Sequence, residues 1–265
     1  MKKQLRLFGV DLHRALCSRI FLLSILGIAV LMFVSSYQYI HWGEDGVSQD
    51  DVVGITSIAF TGSSLPEITA AIVCLFPFAV SYADDISENS AAFFMIRAGV
   101  GRYAASKYIT AMVSGFLTMV LGILLYTSFL SVHLPVFSGV YQSGDACGFD
   151  RFLYEGRPLL YFLCFAVVRG LSAAVCCGAC VWISSIFPNR FTALIGPVVL
   201  YLFLLRFDQG MFIPLQYSIA NLVESDYGMG TPLATIGYKL LYISVFAIPM
   251  GLNAAGNMKR RLRNA

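Results

Sequence analysis

The sequence predicts an all-α polytopic membrane protein, with six transmembrane helices behind an N-terminal interfacial helix. Three observations carry this. Of the 265 residues, 58% are apolar and 12% are charged, about half the charged fraction of a soluble domain. A mean hydropathy of +0.74 excludes a disordered chain and argues against a soluble enzyme. The apolar residues also come in long charge-free blocks, namely 20–43, 68–83, 108–144, 170–189, 191–205 and 240–258. Lysines and arginines gather in alternate gaps between these blocks.

The first element is an interfacial helix over 1–19. Leu5, Phe8, Leu12 and Leu16 recur at three- and four-residue spacing, with Lys3, Arg6 and Arg14 off that face. Leu7 and Val10 interrupt the polar side, but the pattern suits a helix lying along the inner leaflet and leading into the first span. A cleavable signal peptide does not fit: the positive region is long and the apolar segment runs about 20 residues, with no clear small-residue cleavage site.

A helix rises about 1.5 Å per residue, so about 20 residues cross the ~30 Å hydrocarbon core. The blocks therefore give spans near 20–40, 65–83, 108–132, 159–187, 191–207 and 233–256. The fourth is longer than a crossing needs and the fifth barely spans. A basic tail, 257–265, follows. No internal repeat, low-complexity tract or linker divides the chain. It reads as a single domain over 1–265, with the bundle at 20–256.

Orientation follows the basic residues. With both termini inside, the cytoplasmic segments hold Lys2, Lys3, Arg6, Arg14, Arg19, Arg97, Arg102, Lys107, Arg190, Lys259, Arg260, Arg261 and Arg263, which is 13 of the 18 bases. The opposite loops hold only Arg151, Arg157 and Arg206 and are otherwise acidic, with Glu44, Asp45, Asp50, Asp51, Asp145, Asp150, Glu155, Asp208, Glu224 and Asp226.

Catalytic and metal chemistry find little support. Cys177 and Cys180 form a C-x-x-C inside an apolar block with no second ligand pair, which favours packing over redox or zinc chemistry. His13, His41 and His133 lie in three separate regions. No G-x-x-x-x-G-K-[ST] occurs, so the chain carries no phosphate-cradling loop and is not its own ATPase. Asp84-Asp85 resembles a metal pair, but adjacent side chains on a helix diverge by about 100°, and a solvated helix end explains them better. No nucleophile–base pair is visible.

The longest inner loop, from Asp84 to Lys107, is the most informative stretch. It opens with Asp84, Asp85 and Glu88, continues through the apolar run Ala91-Ala92-Phe93-Phe94-Met95-Ile96, and closes with Arg97, Arg102 and Lys107. Carboxylates followed by an apolar run suit a short helix. Two readings stand for its four large apolar residues: packing on the membrane surface, or docking a protein.

In this loop the order Glu88, Phe93-Phe94, Arg102-Tyr103, Lys107 resembles the permeases of ATP-binding-cassette exporters, in particular the type-2 permease family. That resemblance implies six spans with both termini inside, and a cytoplasmic coupling helix between spans two and three. Glu88, Phe93, Phe94, Arg97 and Arg102 then become the candidate coupling residues. It further implies a separate ATP-binding-cassette ATPase subunit carrying ATP and Mg, and a second permease copy or related permease. This chain would itself hold no cofactor and, in a bacterial plasma membrane, meet lipid but no nucleic acid. The resemblance also implies a re-entrant outer segment between spans five and six. Phe207 to Pro232, with Met211, Phe212, Ile213, Pro214 and Leu215, suits that as well as it suits a surface loop.

Within the spans, Gly170, Ala174 and Gly178 line one helix face, a seam for close helix approach either inside the bundle or between copies. Arg169 and Lys239 are costly residues, lying roughly 15 Å and 9 Å inside the expected outer boundaries. Glu67, at the outer end of the second span, is a candidate partner for either. The two bases either line a pathway for an anionic or polar group or fix helix register as paired or snorkelling cations. The expected function is thus a transmembrane permease subunit of an exporter. The alternative is an ion- or proton-coupled carrier, which would want acids deeper in the membrane than Glu67.

Overall fold

The computed structural model describes residues 2–42, 51–61, 64–137, 149–210 and 231–263. Among them all regular structure is helical: α1 (Lys2–Leu16), α2 (Arg19–Trp42), α3 (Val52–Thr61), α4 (Ser64–Leu75), α5 (Ser81–Ser87), α6 (Ala91–Ala98), α7 (Val100–Leu130), α8 (Asp150–Tyr154), α9 (Pro158–Ile186), α10 (Arg190–Gly210) and α11 (Pro232–Arg263). Four of these, α2, α7, α9 and α11, are long and apolar enough to cross a membrane. In α10 the apolar stretch is shorter, Arg190–Leu204. The outer faces are apolar, as a lipid solvent requires: α2 exposes Leu22, Leu23, Leu26, Val30 and Val34, and α11 exposes Leu240, Leu241, Val245, Ile248 and Leu252.

The centre of the bundle is α7 packed antiparallel on α9, and small residues make the approach possible. A Cβ on Gly170 would come within 2.7 Å of Val120 Cγ2, one on Gly178 within 2.8 Å of Tyr108 Oη, and one on Gly115 would collide with the Cys177 thiol. Ala174, between the two α9 glycines, is buried. The Gly170–Ala174–Gly178 seam therefore faces α7 inside the bundle, the first of the two places the sequence allowed.

Directions of the other helices follow from which residues meet. Residue numbers rise together where α2 lies along α7: a Cβ on Gly122 would come within 2.7 Å of Ile28, and further along both helices Phe33 is edge-on to Phe129. They also rise together along α9 and the run α3–α4–α5: Phe60 packs on Phe165, the Cys177 thiol donates to the Cys74 carbonyl at 3.3 Å, and Arg190, just past α9, pairs with Asp84. The same holds for α9 and α11, where Asn257 donates to Ser185 Oγ at 3.2 Å and Arg261 to the Ile186 carbonyl at 3.0 Å.

The second apolar block, expected as one span over 65–83, is instead built from pieces. Pro77 has no N–H to give the Val73 carbonyl. That carbonyl takes Phe76 N–H at 3.3 Å instead, while Ala79 N–H reaches the Leu75 carbonyl at 3.1 Å, so the chain turns between α4 and α5. The helix of the expected third span, α7, begins at Val100, eight residues before the expected 108. Charged Arg102 and Lys107 suggest a loop, but Lys107 is buried and paired, so its charge does not hold the segment in water. α11 continues to Arg263, making most of the basic tail helical. The expected outer segment over 207–232 lies largely outside the described residues.

Two further details differ from a reading by polarity. Among the α1 residues whose side chains are described, Asp11 and Ala15 are buried, while Phe8, Leu12 and Leu16 are only half-buried. Asp51, expected in a solvated acidic loop, is buried and caps α3, accepting Gly54 N–H at 2.7 Å; this is an N-cap role suited to aspartate.

Candidate functional site

The end of the bundle that gathers α1, α5, α6 and the start of α7 holds a buried charged hub. Lys107, about two turns into α7, places its ammonium 2.8 Å from Asp85 Oδ2 on α5 and 3.8 Å from Asp11 Oδ1 on α1. All three side chains are nearly inaccessible, at 2%, 6% and 5%. Tyr103, one helical turn before Lys107, donates its hydroxyl to Asp85 Oδ2 at 2.5 Å, and Ser106 donates to Asp11 Oδ2 at 2.5 Å. The ammonium also lies 5.0 Å from the Phe78 ring centroid and 5.7 Å from that of Tyr103, positions that favour a cation electrostatically.

Burying charge is expensive unless it is paired and hydrogen-bonded. Here one cation serves two carboxylates, and each carboxylate receives a hydroxyl as well. Removing one member of such a pair leaves an uncompensated buried charge and costs about 3–5 kcal/mol. The hub therefore fixes α1, α5 and α7 to one another with a specificity that apolar contact lacks.

Beside the hub stands α6. Its inner face buries Ala91 and Met95, and Phe94 lies flat on Tyr103, with ring centroids 6.4 Å apart and planes at 6°. Its outer face carries Phe93, 60% exposed, and Ile96, 74% exposed, with the Arg97 guanidinium 6.0 Å from the Phe93 ring centroid. Glu88 and Arg102 are exposed at either side. Of the five expected coupling residues, Glu88, Phe93, Arg97 and Arg102 thus face outward together, whereas Phe94 turns inward to seat the helix. Arg102 belongs to the first turn of α7 rather than to a loop.

The same end is tied together by further polar contacts. Asp84 pairs with Arg190 at the start of α10, and Arg261 near the end of α11 caps the Ile186 carbonyl. Asp84-Asp85 is therefore more than a solvated helix end: Asp84 is partly exposed and Asp85 is buried in the hub. Divergence by about 100° along the helix sends the two carboxylates to different partners.

Arg169 and Lys239 lie in the bundle interior, both almost wholly buried. The Arg169 guanidinium is 4.8 Å from the Phe60 ring centroid and 5.5 Å from that of Phe165. Lys239 shares its buried face of α11 with Thr235, Ile243 and Ala247. The Glu67 side chain lies outside the described residues.

Cys177 and Cys180 are buried free thiols, and Cys177 is spent on the carbonyl of Cys74 beside the Pro77 turn. Among the described residues no group of three or more His, Cys, Asp or Glu side chains is placed to hold a metal. The sequence reading missed the hub. Asp11 was the available signal: an acid standing between Leu7 and Ala15 on one four-residue row of the helix.

No family model, curated protein or solved structure matches this chain.

Proposed function

We propose that this chain is the transmembrane permease subunit of an ATP-binding-cassette exporter, worked by a separate ATPase subunit that docks on α6. One observation carries the reading. An eight-residue helix presents Phe93, Ile96 and Arg97 outward while its inner face is locked, through Phe94 and Tyr103, to a buried ionic hub. An apolar face that only filled a loop would gain nothing from so stiff a seat. A face that receives force needs one.

In this reading the bundle has six passes. The run α3–α4–α5 and α10 complete the set of α2, α7, α9 and α11, and the end carrying the hub, Arg190 and Arg261 faces the cytoplasm of a bacterial plasma membrane with both termini. The basic bias of these segments supports that orientation. A second permease, identical or related, completes the pathway. ATP and Mg belong to the ATPase, in keeping with the missing phosphate loop. The family this chain resembles exports peptides, antibiotics, lipids and polysaccharides.

The alternative, an ion- or proton-coupled carrier, draws on Asp11 and Asp85, two buried carboxylates sharing one ammonium. They sit at one end of the bundle, whereas carriers place their ion sites near the midplane, so the permease reading is preferred.

The test is purification of the tagged full chain from membranes in mild detergent. Recovery of an ATP-binding-cassette ATPase with the chain, lost on Phe93→Asp or Ile96→Asp at unchanged yield of the chain, is the expected result. Cargo transport by the chain alone in vesicles, driven by a proton gradient without ATP, would overturn the proposal.

A further inference from the structure

We infer that the elbow α5–α6 is a lever with a fixed pivot and a releasable latch: Asp85–Lys107 is the pivot and Asp84–Arg190 the latch. The inference stands on the bundle end itself and not on the identity of what docks there.

Asp85 has the properties of a pivot in both side chain and main chain. Its carboxylate is held inside the hub by Lys107 and Tyr103. Its carbonyl accepts the Ser90 N–H at 2.9 Å and the Ser90 hydroxyl at 3.2 Å, which anchors the chain where α6 begins. The pivot thus joins the elbow to α7 and, through Asp11, to α1.

The neighbouring carboxylate faces the other way. Asp84 pairs with Arg190, the first residue of α10, with side chains 32% and 64% exposed. Arg190 follows a short turn that Arg261 grips through the Ile186 carbonyl. The latch therefore joins the elbow to α9, α10 and α11. Adjacent residues connect the elbow to the two sides of the bundle, one through a buried bond and one through a bond open to water.

These two bonds differ in strength by their surroundings. A water-exposed ion pair shifts an opening equilibrium by about fivefold at most. A buried one, whose loss strands a charge, shifts it by more than about a hundredfold. Any force on the elbow parts the latch first and leaves the pivot intact.

The backbone provides the joints. α6 is bounded by Asn89 at φ 54° and Gly99 at φ 86°, and asparagine and glycine are the residues that hold left-handed backbone at least cost. A Cβ at Gly99 would meet nothing within 4 Å, so this joint is uncrowded. With the latch open, α5 is free to shift about the Asp85–Lys107 pivot, and the two joints let α6 keep its seat on Tyr103 as it does so, which makes the elbow a two-state element of the kind that transmits a switch.

The experiment is hydrogen exchange read by mass spectrometry on the full chain in phosphatidylcholine–phosphatidylglycerol nanodiscs, with no partner present. Arg190→Gln is expected to speed exchange over 81–98 by about two- to fivefold, with the middle of α7 and α9 unchanged. The swap Asp84→Arg with Arg190→Asp is expected to restore the original rates. Unchanged exchange over 81–98, an equal acceleration spread through α9 and α10, or failure of the swap to restore protection would each overturn the latch. Because no ATPase takes part, these results stand or fall separately from the permease reading.

Discussion

Phe94 and Tyr103 stack in parallel, 6.4 Å between ring centroids and 6° between planes, and the Tyr103 hydroxyl reaches the buried Asp85 carboxylate at 2.5 Å. A ring on the exposed helix α6 is thereby linked through one residue to the ionic hub. The next residue back, Phe93, points into the surroundings. Two adjacent phenylalanines thus divide the work of seating the helix and presenting it.

That division predicts opposite outcomes for the pair. Phe94→Ala removes a packed ring and is expected to destabilise the protein by about 1–3 kcal/mol, below the 3–5 kcal/mol of a fully buried phenylalanine. Phe93→Ala removes an exposed ring and is expected to change stability by less than about 0.5 kcal/mol. Thermal unfolding of both variants in the same detergent decides it; equal losses would contradict the geometry.

Lys107 is expected to tolerate no simple deletion. Lys107→Met leaves Asp11 and Asp85 buried without their cation and should cost about 3–5 kcal/mol. Adding Asp85→Asn to Lys107→Met should recover part of that loss, since fewer charges are then stranded. A double-mutant cycle on unfolding measures the coupling, and strictly additive losses would show that the pair does not interact.

The close contact of α7 and α9 predicts a contrast among glycines. Gly178→Val drives a side chain against Tyr108, whose hydroxyl donates to the Ala247 carbonyl at 2.8 Å, and should cost about 1–3 kcal/mol by overpacking. Gly256→Ala on α11 meets nothing within 4 Å and should be neutral or stabilising by about 0.5–1 kcal/mol through helix propensity. Comparing melting temperatures of the two variants checks this.

Orientation has a direct chemical test. In a background where Cys17 and Cys147 are serine, Ile96→Cys should react with a membrane-impermeant maleimide in inside-out vesicles and stay unlabelled in intact cells. Labelling of intact cells would place the elbow on the outer side and end the permease reading. Protection on both sides would mean that the α6 face lies in lipid.

Much of the architecture was legible because hydropathy acts residue by residue. The block after Arg157 is a helix from Pro158 to Ile186, against an expectation of 159–187, and the first block is a helix from Arg19 to Trp42. Such stretches are helical whatever their neighbours, since backbone groups away from water must bond within their own segment. The block over 65–83 was less legible, because its hydropathy is continuous while Pro77 interrupts its bonding.

The sequence by itself pointed to a helical membrane protein of six spans, of which four are helices long and apolar enough to cross a membrane, and to the apolar run of α6 between acids and bases. Only the tertiary structure decided that Asp11, Asp85 and Lys107 share one buried site, that Asp84 and Asp85 part company, and that Phe93 faces out while Phe94 faces in. The physical reason is that hydropathy is a property of each residue. The worth of a charge depends on what stands within a few ångströms of it, and Asp11 meets Lys107 only because α1 folds back against α7.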